Sequence, residues 1–223
     1  RDCQYLKSEI DNAVEFFEVQ EEMNRLAISD QAIYKTLNDD ALFWVIQKHS
    51  LQMSLFITLG RIFDENKDAH SVHMVIGETL KHAEFFSKNA LAVRKCAGGA
   101  KPDWLDSFMS DAWEPNIQEL RALKKALAVQ AKKFNEIYRP IRHQVYAHRT
   151  AIDDNEFELF KKTNRTEIRS ILIFLRELIG AIEDLYLNGR KPVLGKQENP
   201  HGYPEVIRQS VNSVLGKLAK YSC

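Results

Sequence analysis

The densest chemistry in this chain lies in Tyr138-Arg-Pro-Ile-Arg-His-Gln-Val-Tyr-Ala-His-Arg149, where three arginines, two histidines and two tyrosines fall within twelve residues. Fixed positive charge beside a group that titrates near neutrality suits phosphodiester chemistry: guanidinium neutralises a phosphate while imidazole moves a proton. The surroundings strengthen the pattern. The whole chain balances 31 Lys+Arg against 31 Asp+Glu, yet between Arg121 and Arg149 eight Lys/Arg accompany only Glu136, a local excess of seven positive charges. Such polarity in a neutral protein predicts an anionic ligand at one place.

Other titratable groups offer less. His70 and His73 stand i,i+3 in a turn, but no nearby carboxylate or cysteine has the spacing to complete a metal site with them. Cys3, Cys96 and Cys223 have no paired spacing, which argues against a disulfide framework or a zinc site and for a reducing, cytoplasmic setting. No glycine-rich phosphate loop and no nucleophile elbow is present. Neither metal nor cofactor is expected. No apolar run approaches the ~18 residues that suggest a membrane span, and nothing in residues 1–30 resembles a targeting segment.

These groups need a scaffold. A chain of 223 residues, 44% hydrophobic and 28% charged, can bury one good-sized core. Its nine Gly and six Pro bunch together, and the stretches between them carry helical periodicity, so the expected fold is an all-α, single-domain helical bundle. Helices are expected from about Cys3 to Ile28 and from Asp39 or Asp40 to Asp64. The second carries a broad apolar face of Leu42, Val45, Ile46, Leu51, Leu55, Ile57, Leu59 and Ile62. After a polar turn at Glu65–Ala69, Ser71 should cap a helix to about Phe86, with a short one following to Cys96. A long helix should start near Pro115 and reach Arg149, kinked by Pro140. Asp153-Asp-Asn155 should end that unit. A strongly apolar helix from Thr166 to Leu187 and a last one from Pro204 to about Tyr221 complete the set. We expect residues 1–190 to form the bundle, and residues 191–223 a loop plus a C-terminal helix packed on the same domain.

On the basic helix, each residue advances ~100°. Leu123, Leu127, Phe134, Ile141 and Val145 then share the core face, while Arg121, Lys125, Lys132, Arg139, His143 and Tyr146 gather on roughly the opposite one. Cations interleaved with His and Tyr suit RNA, whose phosphates want charge and whose bases want stacking partners. A plain solvated helix face is the ordinary alternative. Arg142 and His148 flank the apolar stripe, separated by ~120° and ~9 Å of rise on a straight helix. A single phosphate could be reached by both only if the helix distorts or another helix or subunit completes the site. His148 could equally be a hydrogen-bonded histidine near a helix C-terminus.

Arg142-His-Gln-Val-Tyr-Ala-His148 resembles the Arg-x(4–6)-His motif of the HEPN superfamily. The longer Arg139–Arg149 wording, Leu59-Gly-Arg-Ile-Phe-Asp64 and the apolar helix after the motif resemble the AbiU-type branch associated with abortive infection. The likeness covers about residues 1–190. It implies a HEPN-like bundle acting as a metal-independent endoribonuclease in a phage-defence or toxin–antitoxin setting, with an antitoxin protein as a further partner. Carried over, His148 acts on the 2′-hydroxyl or the leaving oxygen, and Arg142 stabilises charge on the phosphate. Many members have Asn or Asp after the arginine, where this chain has His143. His143 is thus either a further acid/base or the mark of a non-catalytic member.

The resemblance also implies a homodimer with two motifs across a cleft. Lys125, Lys132, Arg139, Tyr146 and Arg149 are the expected RNA contacts. Arg61 and Asp64 are spaced i,i+3 and are expected to support Arg142 and His148 from a neighbouring helix; an ordinary cap or surface ion pair fits the same spacing. Two rival readings remain open: a HEPN-like module that binds RNA, a nucleotide or a protein without cleaving, and a helical scaffold.

Overall fold

Asp30 accepts hydrogen bonds from the backbone N–H groups of Ala32 and Ile33, and so starts a helix where the sequence shows only a gap between two longer ones. It introduces the first difference from expectation in a computed structural model that describes residues 2–147, 156–195 and 203–221. The chain is all-α, with no strand among the described residues. The early helices are α1 (Asp2–Ser29), α2 (Gln31–Asp39), α3 (Ala41–Ile62), α4 (Val72–Lys81), α5 (Lys88–Cys96) and α6 (Leu105–Asp111). A 3₁₀ turn, Ala83–Phe86, joins α4 to α5. Next comes α7 (Ile117–Lys133), then a short α8 (Arg139–Ile141) between two π-helical turns, Phe134–Tyr138 and Arg142–Ala147. The last three are α9 (Glu156–Lys161), α10 (Arg165–Asn188) and α11 (Tyr203–Tyr221). Residues 148–155, including the expected stop at Asp153-Asp-Asn155, lie outside the described residues.

Caps set most boundaries. Ser71 starts α4, as its sequence predicts, by accepting from Met74 N–H at 3.4 Å. Helix α7 begins at Ile117, capped by Asn116 just after Pro115, because Asn116 and Glu119 form a reciprocal capping box, each accepting the other's backbone N–H at 3.0 Å. That box satisfies two otherwise orphan donors, which a first-turn proline cannot do. Asn164 caps α10, and Gly189 ends it with φ +59°. A Cβ there would come within 2.6 Å of Leu91 Cδ2, so this glycine is required twice over.

The chain divides into two compact units. The first comprises residues 1–8, 61–137 and 164–196. Its core includes Leu6, Phe63, Val75, Ile76, Leu91, Leu120, Leu127, Phe134 and the inward stripe of α10 from Ile168 to Leu185. Phe63 and Phe134 stack with centroids 4.7 Å apart. The second comprises residues 9–60, 138–163 and 197–223. Here Met23, Leu26 and Ile33 pack with Leu215 and Ala219, so the C-terminal helix α11 closes over α1 and α2.

A polar clamp lies beside that contact. Buried Glu18 accepts from Arg208 Nη2 and Nε at 2.8 and 3.0 Å, while buried Glu22 pairs with Arg25 at 2.6 Å and accepts from Asn212.

Only part of the broad apolar face of α3 is covered. Leu55, Leu59 and Ile62 are buried, but Leu42, Phe43, Val45 and Ile46 are 52–76% exposed and Met53 is 39% exposed.

Candidate functional site

The motif segment owes its shape to Pro140. In a regular α-helix the proline ring would strike the carbonyl of residue 136, and its nitrogen has no proton to donate. The backbone widens into a π-turn before it, Phe134–Tyr138, and again after α8, Arg142–Ala147. A π-turn takes one extra residue per turn, which rotates everything downstream by ~100° relative to a straight helix. The expected kink is therefore two wide turns, and the straight-helix separation of Arg142 and His148 does not apply across them. His148 and Arg149 themselves lie outside the described residues.

Arg142, His143 and Tyr146 come together in the second unit. Arg142 is half-buried, and its Nη1 lies 3.5 Å from His143 Nε2. Its stem lies against Gly60 of α3 so closely that a Cβ on residue 60 would stand 2.5 Å from Arg142 Nε and 2.6 Å from Cδ. The Nε–H is buried there without a hydrogen-bond partner among the described residues. The guanidinium is thus gripped along its stem, with its Nη1 beside His143.

Tyr146 is half-buried in an aromatic cluster. Its ring centroid lies 5.7 Å from Phe56, 5.8 Å from His49 and 6.4 Å from Phe160, while fully buried Tyr138 lies 6.1 Å from Phe56. Burial, with a smaller push from Glu156, holds the Tyr146 hydroxyl well above the ordinary tyrosine range. It stays protonated at working pH, a hydrogen-bond donor and not a base. Arg139, at the start of α8, is exposed.

The other expected site residues belong to the first unit. Arg121, Lys125 and Lys132 are exposed along α7, opposite buried Leu120, Leu123 and Leu127, and Lys132 lies 3.8 Å from Glu136. Arg61 is exposed in the last turn of α3. Asp64 accepts the backbone N–H of Asn66 at 2.9 Å, closing the turn that follows. His70 pairs with Asp2 at 3.3 Å, and half-buried His73 neighbours Phe63, so the two histidines serve different contacts. Burial lowers the His73 pKa and keeps the ring neutral.

Sequence reasoning missed Gly60, His49, Phe56 and Phe160 as neighbours of the motif. One weak signal was available: a lone glycine inside an apolar helical run gives up helix propensity and so invites a packing reason, although Gly180 shows that such a glycine need not have one.

Set beside known proteins, the chain matches the model of the AbiU2 family of HEPN domains over residues 6–217. No curated protein and no solved structure matches it.

Proposed function

The chain belongs to the AbiU2 family of HEPN domains, and on that footing we propose that it is a metal-independent endoribonuclease acting on single-stranded RNA in an abortive-infection response. The observation that carries this reading is the seat of Arg142, a guanidinium held along its stem with its Nη end 3.5 Å from a histidine. A cation fixed before substrate arrives stabilises the extra charge of a five-coordinate phosphate without reorganising first.

In the proposed reaction His148 takes the proton of the 2′-hydroxyl, or gives one to the leaving 5′-oxygen. The 2′-oxygen attacks phosphorus and the bond to the 5′-oxygen breaks, leaving a 2′,3′-cyclic phosphate and a 5′-hydroxyl. Arg142 neutralises the phosphate oxygens, and His143 is the second proton carrier. Lys125, Lys132, Arg139 and Arg149 hold the RNA backbone, and Tyr146 offers an aromatic face to a base.

A second copy completes the assembly. The exposed stripe of Leu42, Phe43, Val45, Ile46 and Met53 on α3 supports that reading, and His49 on the same helix touches Tyr146 of the motif segment. A protein antitoxin restrains the activity. No described helix is long and apolar enough to cross a membrane.

The alternative, anion binding without cleavage, draws on His143 standing after the motif arginine. Incubating the protein with mixed RNA in EDTA separates the two. We expect cleavage, with His148→Ala slower by about 10²–10⁴-fold, the usual worth of a positioned acid or base. Wild-type rates in that variant reject His148, and loss of activity in EDTA rejects the mechanism.

A further inference from the structure

Gly60 stands out among the glycines of this fold. Gly77, Gly180 and Gly216 are also helical, and a Cβ on any of them would meet nothing within 4 Å. A Cβ on Gly60 would overlap Arg142 Nε and Cδ at 2.5 and 2.6 Å. Nor does the backbone at residue 60 call for glycine, since the positive-φ glycines are Gly98, Gly189 and Gly195. The missing side chain matters only for what fills its place.

We infer that Gly60 is the positioning residue for Arg142: its bare backbone is a notch in α3 that fixes where the guanidinium sits. This rests on the preceding reading only for its effect on cleavage. Two unfavourable features meet at this contact. A glycine inside a helix gives up the helix propensity of alanine, and the buried Arg142 Nε–H has no partner among the described residues. Simple packing would be served better by alanine beside a shorter residue. The notch gives in return a guanidinium pinned at its stem, whose Nη1 lies 3.5 Å from His143 Nε2 rather than swinging through solvent. The blocking atoms belong to a flexible side chain and not to backbone, so an added methyl displaces Arg142 and leaves α3 intact.

The test compares Gly60→Ala in the wild-type and Arg142→Ala backgrounds. Its first readout is the Arg142 Nε–H resonance, assigned by its disappearance in Arg142→Ala. It should exchange slowly with water in the wild type, and shift and exchange faster in Gly60→Ala. The second is the melting temperature, which alanine should raise when Arg142 is absent and leave unraised when it is present. The third is RNA cleavage. Gly60→Ala should lower kcat about 10²-fold with KM little changed, as a misplaced catalytic group does, and should add no further loss to Arg142→Ala.

An unmoved resonance with equal melting shifts in both backgrounds overturns the inference. So does full cleavage by Gly60→Ala in which the resonance has moved. A wild-type protein that cleaves no RNA sinks the nuclease reading alone, because resonance and melting still judge the notch.

Discussion

Tyr146 shows how one side chain can serve the fold and the site together. Its ring fills a space among His49, Phe56 and Phe160, and its hydroxyl is held protonated by burial. Removing only the oxygen should change little. Tyr146→Phe should stay within about 1 kcal/mol of wild type in urea denaturation and bind RNA equally well, because stacking uses the ring face. Tyr146→Ala empties part of the cluster and should cost about 2 kcal/mol, below the range for fully buried aromatics because the ring is half-exposed. A large binding defect in Tyr146→Phe would mean that the hydroxyl, not the ring, touches RNA. Since that hydroxyl does not ionise near neutrality, a pH–rate profile should report histidines.

At this scale the candidate segment, whose Arg142 and His143 the structure brings within 3.5 Å, was legible in residue types and spacing. Gly60 was not, because its meaning lies in the arginine that fills its missing side chain, 82 positions away.

Among the elements, α11 is held by specific polar contacts. Glu18 and Glu22 are each only 4% exposed, so their charges depend on Arg208, Asn212 and Arg25. Arg208→Ala removes two guanidinium hydrogen bonds to buried Glu18 and should cost about 2–3 kcal/mol, since breaking one side of a buried charged pair is expensive. Urea unfolding at neutral pH measures it; an unchanged midpoint would show that α11 stays docked through its apolar face alone. The Glu22 carboxyl is held below the ordinary carboxylate range, first by its hydrogen bonds from Arg25. A carboxyl depressed in the fold stabilises it above the unfolded pKa, and loses that contribution as pH falls through the folded one. Stability should therefore be flat near neutrality and fall below about pH 4, less steeply in Glu22→Gln.

Helix α1 was readable from its apolar periodicity alone, and α4 and α10 because periodicity and caps agreed. Helices α2, α6 and α9 were not, being 9, 7 and 6 residues long and too short to establish a period. The π-turns were half legible: Pro140 demanded a distortion but could not say that the backbone would widen on both sides.

For the molecule as a whole, charge and exposed apolar surface make separate demands. The exposed lysines of α7 should set the salt dependence of RNA binding. Lys125→Glu with Lys132→Glu should lower affinity and flatten the log–log slope by about 0.7 for each phosphate that is no longer neutralised. Filter binding from low to moderate salt reads this directly, and an unchanged slope would leave those lysines as a solvated face.

The apolar half of α3 makes the stronger demand. Leu42, Phe43, Val45, Ile46 and Met53 recur at helical spacing and together expose on the order of 500 Å², near the upper end of the ~300–600 Å² largest patch of an ordinary monomer. A second copy covering the same stripe makes an isologous contact that must bury at least ~1,000 Å² in total. The stripe belongs to the unit that carries Arg142, so pairing along it places two motif segments at one seam. Sedimentation should show a dimer at micromolar concentration. Leu42→Glu with Ile46→Glu should give a folded monomer, because both side chains are more than half exposed and substitution there costs the isolated fold little. If the site is shared, mixing Arg142→Ala subunits with His148→Ala subunits should recover cleavage that neither has alone, since one cleft of the mixed dimer then holds an intact arginine and an intact histidine from different chains. A wild-type monomer, or a dimer indifferent to Leu42 and Ile46, defeats this interface. A dimer that forms through the stripe yet shows no recovery on mixing would place each Arg142 with the His148 of its own chain.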